Sequence, residues 1–466
     1  MYQFKKSAFI FHRDLRLHDN TGLLAACNES KAVIPIFVFT PEQIGKNNKY
    51  RSDNAIQFMI ESLQDLQQRV ENRNGKLYLF HDELEHVVTK LIKKEKIDAV
   101  FTNKDYTPYA KKRDQNLEKL CKDHSVSFHA YDDALLNSPG KILTKSGEPY
   151  KVFTPFWKRS VQFPVTKDHA FRYDSFYNKK IDFAEDKTIY KKILKKEKIH
   201  PDPVERVAVH GGRTNGLKIM RTLNEFKNYD EIRNTPAIDT TLLSAHNKFG
   251  TVSIRELYWN MRNALGAAGP KGLIRQLYWR DFYYHIAYAW PKVFGHAFQD
   301  KYDKLTWSLS KKNFELWCEG KTGFPIVDAG MRQMNETGWM HNRARMIVAS
   351  FLVKDLHINW LWGEKYFAQK LVDYDPCVNN GNWQWAASTG CDPQPYFRIF
   401  NPWLQQKKFD PECIYIKRWI PELENVDNKV IHNWASDKSP ELNYPRPMVN
   451  HKKEKEIALK MFKQAG

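Results

Sequence analysis

The chain changes character near residue 131, and that switch limits its fold more than any other feature. Up to that point short β-rich runs alternate with helical patterns. Candidate strands are Ala8–Phe11, Ala32–Phe39, Lys76–Phe80, Ala99–Asn103 and Val126–Ala130. Between them lie candidate helices at Asn20–Cys27, Asp53–Glu71, Glu83–Lys94 and Pro108–Lys122. Strand–helix alternation at this spacing predicts a doubly wound parallel sheet, which takes ligands outside the carboxyl ends of its strands. No GxGxxG follows the first strand, so the standard dinucleotide fingerprint is absent. From Asp132 to His210 the pattern weakens and Pro, Gly, Lys and Asp are frequent, which reads as a connector. From Gly211 onward β-runs nearly vanish. Helices are expected at Asn215–Asn228, Ser253–Leu265, Pro270–Ala289 (with Pro270 in the first turn), Lys311–Glu319, Pro325–Thr337, Asn342–Leu356 and Gly363–Leu371. The expected organisation is an α/β domain over 1–131, a connector over 132–210 and an all-α domain over 211–466.

The second half also owns the indoles. Thirteen of the 14 tryptophans fall between Trp259 and Trp434, mostly among Arg, Asn and Asp rather than aliphatic residues. Indole packs, stacks on flat π-systems and gives up an electron readily; polar neighbours argue against packing alone for Trp383 and Trp385. Net charge is +19, which favours a polyanionic partner such as nucleic acid, although a Lys-rich surface would read the same way. Much of the excess lies in Lys179–Lys198, which reads as a solvated helix face or linker. Six scattered Cys, with no CxxC, point to a reduced intracellular protein without structural zinc. The first residues carry Lys and Arg too closely for a secretion signal, and no apolar run is long enough to span a membrane.

Four segments carry candidate chemistry. In the Pro270–Ala289 helix, Gln276, Trp279, Arg280 and Tyr283 fall at i, i+3, i+4 and i+7. A face of amide, indole, guanidinium and phenol is a poor core stripe and a good wall for a flat, hydrogen-bonding ligand. In the Asn342–Leu356 helix, Asn342, Arg345, Met346 and Ala349 share a face while Arg343 points elsewhere, free to meet a phosphate; Met346 at this spacing also suits a core. Asp373–Trp385 reads as a loop. Its Asp373 and Asp375 have no His or third carboxylate nearby, so pairing with Arg or a cofactor suits them better than a metal. Asp239–Ser244 sets two Thr and a Ser before a helix, which serves either as a plain N-cap or as a phosphate cradle.

Long strings then meet a family. HRDLRLHDN (12–20), YKVFTPFWK (150–158), LYWRDFYYH (277–285), the run at 319–356 and NNGNWQWAASTGCDPQPYFRIFNP (379–402) resemble the photolyase/cryptochrome family across nearly the whole chain. Within it the chain is most similar to class I photolyases acting on cyclobutane pyrimidine dimers. The resemblance implies an antenna domain joined to a helical FAD-binding domain. It implies FAD held by Tyr229, Thr240, Thr241, Leu242, Ser244 and Arg280, with Arg345 and Asp373 paired over the flavin. Asp375 would lie near the ring and ribityl chain, and Asn379 would face N5. Trp383, Trp360 and Trp307 match an electron-transfer chain. Gln276, Trp279, Asn342, Met346 and Trp385 match the lesion pocket, and Arg233, Arg343 and Arg398 the residues near the backbone of UV-damaged DNA. Photolyases flip the damaged bases out of the duplex. The resemblance implies a light-driven repair enzyme, a monomer working in the cytoplasm or nucleoid.

Two positions depart from the pattern. Dimer-specific photolyases carry Glu where this chain has Gln276, which is typical of (6-4) photolyases; those enzymes, however, also have His near Asn342 and Met346, and this chain has MHNRARM instead. A non-repairing cryptochrome photoreceptor is the other alternative, disfavoured by the lack of a long C-terminal extension. The Asn-Glu pair of folate-binding members is missing near Tyr109–Ala110, whereas Phe37, Arg51 and Asp105 are similar to a deazaflavin-binding antenna pattern.

Overall fold

Val, Ile and Phe crowd the first two strands because both faces of the sheet are covered by helices. In β1 (Phe4–Ile10) and β2 (Ser30–Val38) the last four and six residues are buried without alternation. With β3 (Tyr78–Phe80), β4 (Ala99–Asn103) and β5 (Ser127–Tyr131) they form one sheet in the order β3-β2-β1-β4-β5. Every pairing is parallel. The computed structural model describes residues 2–199, 207–266, 271–392, 397–436 and 440–465. Asn20, Ser52 and Thr107 cap the helices Thr21–Glu29, Asp53–Glu71 and Pro108–Asp123 through their side chains. The expected Glu83–Lys94 helix is shorter, Leu84–Lys90, and ends in a π turn over Leu91–Glu95 closed by Lys96 at φ 52°.

The second half is helical, with Ile254–Leu265, Lys271–Ala289, Lys311–Glu319, Pro325–Thr337, Asn342–Lys354, Trp360–Lys370 and Pro376–Ala387 as its main elements. Pro270 lies outside the described residues. The expected Asn215–Asn228 helix is divided into Arg213–Arg221, a 3-10 turn Leu223–Phe226 and a short helix Tyr229–Ile232. Thr222 breaks it: its hydroxyl bonds the Ile219 carbonyl at 3.0 Å, competing with the helical ladder. Among the described residues no helix is long and apolar enough to cross a membrane.

The connector is not a free linker. Phe153 and Phe156, in helix Phe153–Ser160, pack with Tyr278 and Phe282 of the helical half. Phe171, Phe176, Ile189, Tyr190, Ile193 and Ile199 instead join the core of the sheet half. The Lys-rich stretch behaves as expected of a solvated face. Helix Ile189–Lys196 buries Ile189, Tyr190 and Ile193 and turns its lysines outward. Residues 200–206 lie outside the described residues.

The HRDLRLHDN loop leaves β1 at the point where strand order reverses, the crevice in which such sheets usually hold ligands. Here the crevice is filled by the protein itself. Arg16 bonds Asp133 at 2.7 Å and the Gly250 carbonyl at 3.2 Å. Arg255, on the helical side, bonds Asp19 at 2.8 Å and Asp133 at 3.0 Å. His18 meets Asp168 at 2.7 Å and lies 3.7 Å from Glu256. That trio has the spacing of a cation site, but Arg213 takes both Glu256 oxygens at 2.8 Å, so it is one knot of an ion-paired seam.

Asp133 tests the seam. Burial alone would raise its pKa, but Arg16 and Arg255 outweigh burial and hold it at about 2. A carboxyl depressed in this way stabilises the fold above its ordinary value of 3.8, and the contribution is lost as pH falls towards 2. Asp133→Asn leaves two buried guanidiniums short of a partner and should cost roughly 3–5 kcal/mol at pH 7 by urea unfolding. Below about pH 4 the gap to the unsubstituted protein should narrow; a gap absent at pH 7, or constant with pH, would show that the seam does not hold the halves together.

Candidate active site

Three helices carry the expected site residues and border a region termed the cup, with Pro376–Ala387 packed against both of the others. The first is Lys271–Ala289, whose Trp279 ring lies flat on Phe153 at 3.6 Å between centroids and 6° between planes. That contact fixes the indole and leaves its other face for a ligand. Gln276, one turn earlier, is exposed and its amide donates to the Gly272 carbonyl at 3.0 Å. The expected four-residue face divides here. Tyr283 is buried, and Arg280 turns away to donate to the carbonyls of Ala134 (2.6 Å) and Asn247 (3.3 Å). Arg280 therefore braces the segment after Leu242 from behind.

The second wall is Asn342–Lys354. Arg345 pairs with Asp373 at 2.9 Å and donates from Nε to the Met340 carbonyl at 2.8 Å. The other Asp373 oxygen is buried without a partner. Asn342 is exposed and its amide sits 3.7 Å from the sulfur of Met346, which is only half-buried and so belongs to the cup rather than the core. His341 caps this helix by accepting from the Arg343 backbone at 3.1 Å. Burial, then the charges of Arg345 and Arg343, push its pKa down to about 4, so the ring is neutral at physiological pH. Arg343 bonds Asn234 at 2.7 Å and stacks over Phe409 at 4.3 Å. Its own pKa is lowered by burial and then by the repulsion of Arg233 and Arg398. Arg343 thus lies within reach of the positive charges of the other two arginines expected at the DNA backbone, a setting that favours an anion.

The third wall overturns an expectation. Asp373–Trp385 is not a loop: Pro376–Ala387 is a helix, started by Asp375, whose side chain accepts from the backbone of Cys377 (3.1 Å) and Val378 (3.2 Å), with Pro at the first position. Asp-Pro is a helix-start signal that the Asn- and Gly-rich composition masked. Tertiary bonds overcome the poor propensity of NNGN. Asn379 donates to the Glu364 carbonyl (3.1 Å) and Asn380 to the Glu364 carboxyl (3.1 Å). Gln384 bonds the carbonyls of Val293 and His296, both at 3.1 Å. Gly381 is required because a Cβ there would lie 2.0 Å from the Tyr283 ring. Asp375 also accepts from Arg13 and from the Tyr284 hydroxyl. Neither carboxylate forms part of a metal pair: Asp373 belongs to Arg345 and Asp375 to Arg13.

Trp383 lies one turn beyond Asn379, on the same face. It is only 2% exposed and packs edge-on against Phe367 (4.9 Å) and Trp317 (6.2 Å), so packing is a larger part of its role than its polar neighbours implied. Its Nε1 is buried without an acceptor. The ring rests on Gly363, where a Cβ would meet it at 2.2 Å, and Gly363 is three residues past the buried Trp360. Trp307 is partly exposed beside Phe462. A backbone bond from Ser308 to the His357 carbonyl (2.7 Å) holds it next to the turn before Trp360. The three indoles thus run from the cup outwards. Trp385, two residues past Trp383 and half-buried, lies on a different face of the helix.

The remaining expectations fare unequally. Helix Leu243–Phe249 begins at Leu242, in the left-handed region at φ 53°, with no side-chain cap. The plain N-cap reading of Thr240, Thr241 and Ser244 is therefore excluded, and Tyr229 stands at the start of its own short helix nearby in sequence. The antenna trio is not gathered into one site. Phe37 is buried in the sheet core against Phe39. Asp105 is paired with Arg13 at 3.1 Å, and Arg51 holds Asp53, the Ile44 carbonyl and the Glu197 carbonyl. Each of the three side chains thus has partners within the protein. The six cysteines are free thiols.

Residues 7–170 match the family described as DNA photolyase, and residues 273–464 match the FAD binding domain of DNA photolyase. The chain is 37% identical over 479 residues to the deoxyribodipyrimidine photo-lyase of Vibrio cholerae, covering 98% of both. It superposes on an archaeal photolyase from Sulfolobus tokodaii, crystallised with two FAD molecules, with TM-score 0.88, 40% identity and coverage of 98% of this chain and 100% of that one. A bacterial class III photolyase from Agrobacterium tumefaciens gives TM-score 0.90 at 33% identity, covering 100% of this chain and 98% of that one. Full-length identity, fold and the arrangement of the helical half agree, and the chain belongs to the DNA photolyase family.

Proposed function

We propose that this protein is a light-driven DNA repair lyase, active as a monomer, that returns cyclobutane pyrimidine dimers to monomers. The observation that carries the reading is the cup itself. Trp279, held flat by Phe153, shares one wall with Gln276; Asn342 and Met346 stand on the second with the Arg345–Asp373 pair, Trp385 on the third, and Arg343 feels the positive charges of Arg233 and Arg398. The residues fit FAD. The partnerless Asp373 oxygen suits an N–H of the flavin ring, and Asn379, anchored through its Nδ2, keeps its Oδ1 as an acceptor. Tyr229, Thr240, Thr241, Leu242 and Ser244 would hold the phosphates. When bound, reduced FAD supplies the electron that light drives to the dimer and that returns after the ring opens.

The chain's own residues do the rest. Trp279 and Trp385 offer faces for a flipped, poorly stacked dimer. Gln276 turns its amide from Gly272 to a pyrimidine carbonyl. Arg233, Arg343 and Arg398 draw the phosphates at the rim. Repair of a (6-4) product needs a proton donor at the lesion. Asn342 and Met346 cannot be one, and His341 is buried, neutral and occupied as a helix cap.

Two measurements test this reading. Reduced protein illuminated with DNA carrying either lesion should restore cyclobutane dimers and leave (6-4) products intact, and Gln276→Glu should raise the yield or leave it unchanged. Repair of (6-4) DNA alone would make Gln276 the specificity mark and overturn the assignment. Trp383→Phe should slow photoreduction of oxidised FAD at least tenfold, on the order of the loss of one link of an electron relay, while repair by chemically reduced protein stays close to normal. Phe fills most of the indole's volume and leaves no bonded donor behind, since Trp383 Nε1 has no partner. Photoreduction at the unsubstituted rate would reduce Trp383 to a packing residue.

A further inference from the structure

Arg275 stands apart from the other half-buried arginines of the site. Arg13, Arg280 and Arg345 each spend their N–H groups on carboxylates or carbonyls. Arg275 bonds no acceptor among the described residues, and its Nε is buried. A buried donor without a partner in a native fold calls for an explanation, and a missing ligand is one. Asp392 is close enough to feel its charge but forms no ion pair within 4.0 Å, and its oxygen accepts instead from the Phe153 backbone at 3.2 Å.

Its placement says what the ligand is. Arg275 precedes Trp279 by one helical turn, so the two side chains share a face. The guanidinium carbon lies 5.1 Å from the Phe153 ring and 4.7 Å from the ring of Trp157, the one tryptophan outside the helical half. Phe153 in turn stacks on Trp279. Four flat groups, Trp279, Phe153, Arg275 and Trp157, form a continuous layer from the cup outwards. Stacking pre-orders the guanidinium, whose planar fork of donors suits bidentate recognition of phosphate. Lys151 and Lys158, both exposed, flank the layer on the same segment and helix. On the other side of the cup, Arg343 is carried by a different wall and stacks on Phe409.

We propose that Arg275, backed by Phe153 and Trp157, is a second phosphate clamp for the DNA backbone, gripping the strand on the side of the cup away from Arg343. The clamp rests on the DNA-repair reading, and it adds a contact outside the Arg233–Arg343–Arg398 cluster. Two clamps on opposite walls would hold the backbone on both sides of the extruded bases, which keeps the gap in the duplex aligned with the cup. Because the contact is to phosphate, it does not distinguish damaged from undamaged DNA.

The test is a salt titration of binding, by anisotropy, of a duplex with one cyclobutane dimer and of the same duplex undamaged. Arg275→Gln keeps a polar side chain but removes the charge and the stacked guanidinium. It should weaken both duplexes several-fold and reduce the slope of log K against log salt by about 0.9. Arg343→Gln should do the same, and the double variant should lose about 1.8, two such increments. Arg275→Lys should keep the slope, since the charge remains, and lose part of the affinity with the planar fork. If Arg275→Gln binds both duplexes with unchanged affinity and slope while Arg343→Gln shows its loss, the second clamp is refuted and the repair reading stands. If neither substitution moves either duplex, the DNA reading fails with it.

Discussion

The Arg13 guanidinium is the bond on which the two halves depend. It reaches from the loop after β1 to Asp105 beyond β4, to Asp375 at the head of the Trp383 helix, to the Tyr284 hydroxyl and, through Nε, to the Lys248 carbonyl. Burial would disfavour its charge, but Tyr284, Asp375 and Asp105 reverse that and hold its pKa above the ordinary arginine value. Asp375, more deeply buried, is held below the usual carboxylate range: burial raises it, and Arg13 and Arg280 more than compensate. A buried pair of this kind adds little net stability against an apolar alternative, yet losing one partner is expensive. Its value here is positional. The carboxylate that meets Arg13 also caps the helix carrying Asn379, Trp383 and Trp385, so the orientation of the sheet half and the start of the site's third wall are set by one node.

The cup is built from groups that cannot easily move. Trp279 is pinned by Phe153, Trp383 by Gly363 and Phe367, and the Asn- and Gln-rich helix by five amide bonds to neighbouring backbone and Glu364. Pre-ordered aromatic faces lose little entropy when a flat ligand arrives. Among the described residues one oxygen of Asp373 is buried without a partner, which leaves it an acceptor facing this region. Trp383 and Trp360 are buried, and Trp307 is only partly so.

Much of this was legible in the sequence, and the failures have identifiable causes. Strand–helix alternation predicts the parallel sheet, and β4 and the helices Asp53–Glu71, Lys311–Glu319 and Pro325–Thr337 fall where their periodicity and caps place them. The pairing of Arg345 with Asp373 and the exposed, polar Gln276 and Asn342 follow from residue type and from the family resemblance. The Trp383 helix was missed because local propensity pointed the other way: Asn and Gly are poor helix formers unless tertiary bonds hold them, and those bonds join residues 15 to 91 positions apart. Arg280, Phe37, Arg51 and Asp105 show what residue type alone leaves out: the fold buries Phe37 in the sheet core and engages the other three side chains with the protein itself. Arg275 is the converse case, unremarkable in sequence and conspicuous once its donors are seen to lack acceptors among the described residues.

The central claim, that the node between the halves shapes the cup, is most directly tested by the FAD affinity of Arg13→Gln. The substitution lies in the sheet half and removes the charge opposite Asp375 and Asp105. Titration of apoprotein with FAD should show affinity weakened by roughly tenfold or more, drawn from the ~3–5 kcal/mol that an unpaired buried carboxylate costs. The protein should still be folded by circular dichroism. If Arg13→Gln folds and holds FAD as tightly as the unsubstituted chain, the helical half keeps its cup without the sheet, and the node between the halves does not shape the site.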